Sequence, residues 1–168
     1  EIIFLDRDRV EVKFLNKMKE SSKPSNIELA ICLVKKNPME IILQKATELG
    51  VSRITPIISE RTEVKELNYE RAQKIVIEAT EQSNQLNPPE VTKVIKLKDF
   101  LEKLDSGSKF LFADVNSQNN LQKKDVEGDT LKTILIGPEG DFSPAERESI
   151  LVKANTTSFS ISKNILRS

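Results

Sequence analysis

Residues 134–143 read Ile134-Leu135-Ile136-Gly137-Pro138-Glu139-Gly140-Asp141-Phe142-Ser143, and Pro144-Ala145-Glu146 follows. The apolar run from Thr133 to Ile136 has the composition of a buried strand, and it ends at a glycine. Ser143 with Glu146 three residues on is a capping box, and Pro144 suits the first helical position. The pattern predicts strand, tight loop and helix, the helix running from Pro144 to about Ala154. Two of the five glycines in the chain stand in this loop. Glycine allows a positive φ and close approach of a ligand to the backbone. In open α/β sheets, ligands sit off the carboxyl ends of strands, beside such loops. A strand-to-helix turn that simply needs glycine would look the same, and on the residues alone the two readings stand level. The loop is not a phosphate cradle: it has neither G-x-G-x-x-G nor a glycine-rich run ending in Lys-Ser/Thr. Glu139 and Asp141 suit a ligand with a positive centre or hydrogen-bond donors better than a bare phosphate.

Working outward, the same alternation recurs. Ile27 to Val34 is a near-continuous apolar strand. Asn37-Pro38-Met39-Glu40 offers an N-cap, a proline at the first helical position and a glutamate at the third. Met39, Ile42, Leu43, Ala46 and Leu49 then form a helical stripe that Gly50 stops. Ile54–Ile58 reads as a strand, Tyr69–Gln85 as a helix with Ala72, Ile75, Val76 and Ala79 on one face, and Val91–Ile95 as a strand. Asp99–Leu104 reads as a short helix and Lys109–Ala113 as a strand. Residues 116–130 read as a polar loop and Ser158–Ile161 as the last strand. Strands apolar along their length, alternating with helices, predict an α/β domain with a mainly parallel sheet covered on both faces. At the amino end, Ile2–Leu5 and Arg9–Leu15 read as two short strands about an Asp6-Arg7-Asp8 turn. Such a ribbon is marginal alone and wants more sheet. Lys17–Asn26 reads as a linker.

The composition bounds what this domain can do. With 168 residues, 38% hydrophobic and 31% charged, the chain can build one sizeable core and is not a disordered sequence. No apolar run has the length of a membrane span, and the opening residues do not form a signal peptide. The single cysteine, Cys32, excludes a disulfide framework and points to a cytosolic setting; within Ile31-Cys32-Leu33-Val34 it reads as a buried apolar residue. No histidine is present, so His-based zinc sites and Ser-His or Cys-His catalysis are excluded within this chain. The 26 basic and 26 acidic residues balance, so an RNA site would have to be a local patch.

Three further segments are candidates. Arg61, in Ser59-Glu60-Arg61-Thr62 after a strand, lies where it could grip phosphate or a base edge, or equally form a surface ion pair with Glu60 or Glu63. Gln82 and Asn84 end a helix and could hydrogen-bond RNA, although a polar helix end explains them as well. Ser158–Arg167 places a loop, Ser162–Asn164, at another strand end. Taken alone, Arg167 reads as a solvated charge at a chain end.

Together these segments resemble the SPOUT methyltransferases, and closely the RsmE family, which methylates N3 of one uridine in small-subunit (16S) ribosomal RNA. The resemblance rests on several pieces in family order over roughly residues 27–168. These are Gln44-Lys45-Ala46-Thr47-Glu48-Leu49-Gly50, Ile54-Thr55-Pro56 with Ser59-Glu60-Arg61, and Gln73-Lys74-Ile75 with Glu78-Ala79 and Glu81-Gln82-Ser83. Ile136-Gly137-Pro138-Glu139-Gly140 with Phe142-Ser143 and Glu146, and Ile165-Leu166-Arg167, complete the set. Asp141 stands where the family usually has a second glycine, and Ile161-Ser162 where it has Leu-Gly. The family pattern continues past Arg167 into a further helix and begins with a PUA-like β domain. The expectation is therefore a remnant of that domain plus linker over residues 1–22 and a SPOUT domain over 23–168, with pieces lacking at both ends.

The resemblance implies a C-terminal trefoil knot, which ordinary connection rules would not predict. It implies S-adenosylmethionine as cofactor, held by Phe112, Ala113, Ile136, Gly137, Pro138, Glu139, Gly140, Ile161, Ser162, Ile165 and Leu166. It implies RNA contacts from Arg61, Gln82 and Arg167, a catalytic role for Arg167, a homodimer, and a cytoplasmic enzyme. No general base is named; Glu139 is one possibility. Rival readings are a SPOUT enzyme for another nucleotide, a non-catalytic RNA-binding or ribosome-assembly module with a degenerate pocket, and an unrelated doubly wound nucleotide-binding domain.

Overall fold

The apolar strands find one another in a single sheet. The structure, a computed structural model, describes residues 1–16 and 25–161. Strands β3 (Ile27–Cys32), β4 (Arg53–Ile58), β7 (Lys109–Ala113), β8 (Lys132–Ile136) and β9 (Thr156–Phe159) run parallel. With the two-residue strands β5 (Glu90–Val91) and β6 (Ile95–Lys96) they make a seven-stranded sheet in the order β5-β4-β3-β8-β7-β9, β6 also pairing with β4. The single strand expected over Val91–Ile95 is interrupted because the Val94 N–H turns to the Tyr69 hydroxyl instead of to β4.

Both faces are covered, as the strand composition predicts. Helices α1 (Lys36–Glu48) and α2 (Tyr69–Gln82) lie on one face, where Met39, Leu43, Ala72, Ile75 and Val76 pack on Leu29, Ile31 and Ile54. Helices α3 (Leu97–Lys103) and α5 (Pro144–Leu151) lie on the other, where Phe100, Leu101 and Ile150 meet Ala30, Cys32, Phe110, Phe112 and Leu135. Phe110 and Phe112 are wholly buried, so truncating either to alanine would cost about 3–5 kcal/mol. Glu28 is the acidic residue inside this sheet; Thr55 and Thr133, from the strands on either side, donate to its two oxygens at 2.6 and 2.9 Å.

Helix ends show where local chemistry overrode the expected boundaries. Helix α1 starts at Lys36 with Lys35 as N-cap, so Asn37 is not the cap and Pro38 sits in the first turn. The first-turn N–H groups have no helical partner, so proline is tolerated there. Gly50, at φ 84°, closes α1 with paired bonds from Gly50 N–H to Thr47 and Val51 N–H to Ala46. Helix α2 ends at Gln82, three residues short of the expected Gln85, because Asn84 takes φ 55° and makes the same kind of stop. The Gln85 amide then reaches back to the Thr47 and Glu48 carbonyls at 2.8 and 3.1 Å, tying the ends of α1 and α2 together. Helix α5 stops at Leu151, short of Ala154, and Asn155 at φ 58° turns the chain early into β9, which spans Thr156–Phe159 where Ser158–Ile161 was expected. The polar stretch 116–130 holds one helical turn, α4 (Lys123–Val126).

The amino-terminal ribbon forms, β1 (Ile2–Leu5) against β2 (Val10–Val12), as a separate two-stranded sheet with its apolar side chains exposed; the second strand was expected over Arg9–Leu15 but extends only as far as the short β1 can pair with it. Most of the linker lies outside the described residues.

Candidate active site

Because the strands are parallel, all their carboxyl ends emerge at one edge. There the structure gathers Leu33–Lys35, Ser59–Thr62, Asp114–Ser117, Gly137–Phe142 and Ser160–Ile161, one loop from each of β3, β4, β7, β8 and β9. Ala113 stands opposite Ile136 and Phe159 opposite Ala113, so three of these loops leave neighbouring strands side by side.

The glycine loop divides into two halves. At its strand end, a Cβ on Gly137 would come within 2.8 Å of the Phe142 ring. That ring is buried and rests edge-on against Phe112, centroids 5.7 Å apart, so it has nowhere to go. Packing therefore demands glycine at 137. At the exposed end, Pro138-Glu139-Gly140-Asp141 is a turn closed by the Asp141 N–H on the Pro138 carbonyl at 3.0 Å. The left-handed residue is Asp141, at φ 58°, and a Cβ on Gly140 would meet only the Arg61 stem at 3.8 Å. The positive φ expected of a glycine falls on the residue after it, at the position where the resembled family has its additional glycine. The Asp141 carboxylate accepts from the Phe142 N–H at 2.8 Å, which helps a non-glycine residue hold that conformation.

A second loop is tied to the first. Ser59 and Thr62 close the turn after β4: the Ser59 N–H donates to the Thr62 hydroxyl at 2.9 Å, and the two hydroxyls lie 2.8 Å apart. The Glu60 N–H donates to Glu146 Oε1 at 2.8 Å, and Arg61 Nη1 donates to the Gly140 carbonyl at 2.9 Å. Glu146 Oε2 meanwhile accepts from the Ser143 N–H at 3.1 Å, completing the capping box expected from the sequence. The ion pair of Arg61 with Glu60 or Glu63 does not form; Glu63 lies 4.0 Å from Lys35 instead. Cys32 sits beneath this turn. Burial pushes its thiol up to about 11, against the opposing pull of the Ser59 and Thr62 hydroxyls, so it is an inert core residue as expected.

Asp114 and Arg147 join the site without a sequence motif to announce them. Asp114, just past β7, is buried, and its Oδ2 accepts from Arg147 Nη2 and Nε at 2.7 and 3.1 Å. Its Oδ1 accepts from the Asn116 N–H at 2.9 Å. Burial alone would raise this carboxyl; the Arg147 hydrogen bonds, the Asn116 N–H and the Arg147 charge outweigh it and hold it below the ordinary range. The pair fixes α5 to the end of β7, under the glycine loop. Residues 33 apart carry no local signal of such a pair. An aspartate after an apolar strand, with an arginine on the next capped helix, was the available hint.

The remaining expected residues fall as follows. Ala113 and Ile136 are partly buried at adjoining strand ends, and Ile161 is exposed just past β9. The Phe112 side chain is fully buried, so it supports the loop through Phe142 and could touch a ligand only through its backbone. Ser162, Ile165, Leu166 and Arg167 lie outside the described residues, as does the segment where a knot would close. Gln82 is not brought to the site. Helix α2 runs back from the carboxyl edge, so its last residue lies at the opposite edge, near the Thr47–Gly50 end of α1. Gln82 and Arg61 therefore form no common patch within one chain. A cleft of about 80 Å³ opens between Pro138–Gly140, Arg61 and Leu33–Lys35. The Glu139 and Gly140 N–H groups beside it find no acceptor among the described residues. Among those residues no three His, Cys, Asp or Glu side chains converge as metal ligands.

A mainly parallel sheet with its loops gathered at the carboxyl edge is the frame on which α/β domains bind ligands, and comparison with known proteins supplies the class. The profile described as RNA methyltransferase domain matches residues 19–168. The ribosomal RNA small subunit methyltransferase E of Rickettsia conorii is 31% identical over 172 residues, covering 97% of this chain and 67% of the relative. Among solved structures, the probable rRNA-methyltransferase of Porphyromonas gingivalis superposes with a TM-score of 0.88 at 29% identity, over 99% of this chain and 71% of that one. The ribosomal RNA small subunit methyltransferase E of Neisseria gonorrhoeae bound to S-adenosyl methionine gives 0.86 at 31% identity, over 99% and 70%. The chain belongs to the RNA methyltransferase family, among the ribosomal RNA small subunit methyltransferases E.

Proposed function

We propose that this protein transfers the methyl group of S-adenosylmethionine to N3 of a uridine in small-subunit ribosomal RNA. The family carries the coarser part, an S-adenosylmethionine-dependent ribosomal RNA methyltransferase. The observation in the molecule that supports it best is the set of loops at the carboxyl ends of β8, β7 and β9, with the exposed Glu139–Gly140 turn among them. The residues present fit the cofactor at one edge: the Glu139 and Gly140 N–H groups, which have no acceptor among the described residues, suit its acceptors, and the Glu139 and Asp141 carboxylates suit a positive sulfur. The cleft at this turn is far below the roughly 300 Å³ at which small-molecule pockets begin. The reading therefore takes the other walls from Ala113, Ile136, Ile161, Ser162, Ile165 and Leu166, as the resemblance implies.

Bound S-adenosylmethionine supplies an electrophilic methyl on a cationic sulfur. Uracil N3 carries a proton and attacks only as that proton leaves, and negative charge then spreads onto the flanking carbonyls. The protein must hold the base in line and offset that charge. In this reading Arg167 does the second through charge-assisted hydrogen bonds, and Arg61, whose other guanidinium donors remain exposed, grips RNA phosphate. Asp114 is a poor base: Arg147 and the Asn116 N–H occupy both its oxygens and hold its carboxyl below the ordinary range. The proposal includes a cytoplasmic homodimer with its pocket near the interface and a knotted chain, both carried by the resemblance alone.

The test is single-turnover methyl transfer to small ribosomal subunits with cofactor affinity measured in parallel. Arg167→Ala should lower transfer by roughly 10²–10³ and leave cofactor affinity nearly unchanged. Lysine should rescue only partly, because it lacks the planar paired donors. Methylation of a different nucleotide would reassign the substrate; a loss confined to cofactor affinity would make Arg167 a pocket residue.

A further inference from the structure

We infer that Glu146 is a positioning residue that keeps the RNA-gripping loop in register with the cofactor loop; this rests on the proposed function. Its two oxygens serve two different chain segments. Oε2 closes the helix cap on the Ser143 N–H at 3.1 Å, which any capping glutamate would do. Oε1 accepts from the Glu60 N–H at 2.8 Å, across 86 residues, and nothing in helix capping requires that bond. One residue on, Arg61 donates to the Gly140 carbonyl at 2.9 Å, and its stem lies against the face of Gly140 that lacks a Cβ. The Ser59–Thr62 turn is thus stapled at two points, to Gly140 in the middle of the Gly137–Ser143 loop and to Glu146 just past its end. The turn is stiffened from within by the Ser59–Thr62 hydroxyl pair. A rigid turn fastened in this way sets the separation between the phosphate grip of Arg61 and the donor methyl.

The chemistry sorts the variants. Glu146→Gln has one amide oxygen and can accept only one of the two N–H groups. Glu146→Ala accepts neither. In the full-length protein, alanine should lower kcat/KM for ribosomal RNA by about 10- to 100-fold, because a displacement of about 1 Å remote from the chemistry has effects of that size. Glutamine should fall between alanine and the unaltered protein. Cofactor affinity should stay within about twofold, and amide exchange at Glu60 should quicken in the alanine variant. Since Glu146 acts through Arg61, adding Glu146→Ala to Arg61→Ala should cost little more than Arg61→Ala alone. A merely structural role would lower the melting temperature and leave kcat/KM in the folded fraction unchanged, and that result would overturn the inference. Additive losses with Arg61→Ala, or an equal loss of cofactor affinity, would also overturn it. If the unaltered protein transfers no methyl group to small subunits, the proposed function fails. The staple is then judged by Glu60 exchange and by RNA affinity, and unchanged values in Glu146→Ala refute it.

Discussion

The inner and outer halves of the Gly137–Ser143 loop look alike in sequence, one glycine each, and are built on opposite principles. The inner half is fixed by contact: Gly137 against the Phe142 ring, Phe142 against Phe112, and Asp114 buried under Arg147 nearby. The outer half is fixed by hydrogen bonds at the surface: the Asp141 N–H on Pro138, Arg61 on Gly140, and Asp141 on the Phe142 N–H. A glycine motif beside a strand end is thus two constraints in one: half of it serves the core, and only the other half is free to meet a ligand. For this reason Gly137→Val, which would seem the direct way to block the cofactor, tests packing as much as binding.

That substitution should have the largest effect. Overpacking against an immobile ring costs about 3 kcal/mol, read as a fall in the urea midpoint at constant slope. A fully stable Gly137→Val protein would mean that Phe142 can swing away, and the contrast between the halves would dissolve.

Arg147→Ala should come next, at about 2 kcal/mol near neutral pH. It leaves the buried Asp114 carboxylate without its cation; the figure is set below the usual range because the Arg147 side chain is 36% exposed. The pair also makes a pH prediction. The folded-state Asp114 carboxyl is held below its unfolded value of about 3.9, so its contribution is complete above that pH and is lost as pH falls toward the folded value. Stability measured from pH 7 down to 3 should therefore drop more steeply in the unaltered protein than in Arg147→Ala. Without its partner, Asp114 is left with burial, which favours the neutral form. Parallel curves would show that Arg147 does not hold the Asp114 carboxyl below its unfolded value.

How far the sequence reached follows the same division. Signals local in the chain were legible: the capping box at Ser143–Glu146, the Gly50 stop, the apolar strands and hence the two-faced parallel sheet. Constraints made between distant segments were not. The hold of Tyr69 on Val94 split an expected strand, and the Asp114–Arg147 pair went unseen. The position of Gln82 in space was likewise not legible. The residue sits on the expected helix, but a helix returning from the carboxyl edge carries its last residues to the opposite edge, away from Arg61. The glycine loop itself was half legible: its place at a strand end was read correctly, whereas the positive φ landed on Asp141.

On the outer half, Gly140→Ala should change stability by less than about 0.5 kcal/mol, since the new Cβ meets the Arg61 stem at an ordinary 3.8 Å and no left-handed φ has to be kept. Measured beside Gly137→Ala, it isolates the packing demand of the inner half. A loss at 140 as large as that at 137 would show that the Arg61 stem is as immobile as the Phe142 ring.

Asp141→Gly should also change stability little, because its terms oppose one another. Glycine removes the cost of a side chain at φ 58°, on the order of 1 kcal/mol. It also gives up the bond from the Phe142 N–H to the Asp141 carboxylate, about 1 kcal/mol, and loosens the unfolded chain by about 0.5–1 kcal/mol. The sum lies within about 1 kcal/mol of zero on the destabilising side, and calorimetric melting at pH 7 is the measurement. A gain of more than about 1 kcal/mol on introducing glycine would mean that the aspartate bond contributes little and that the outer half of the loop carries real backbone strain. A loss above about 2 kcal/mol would mean the reverse: the outer half is held mainly by this one carboxylate, and the turn would need it to keep its shape.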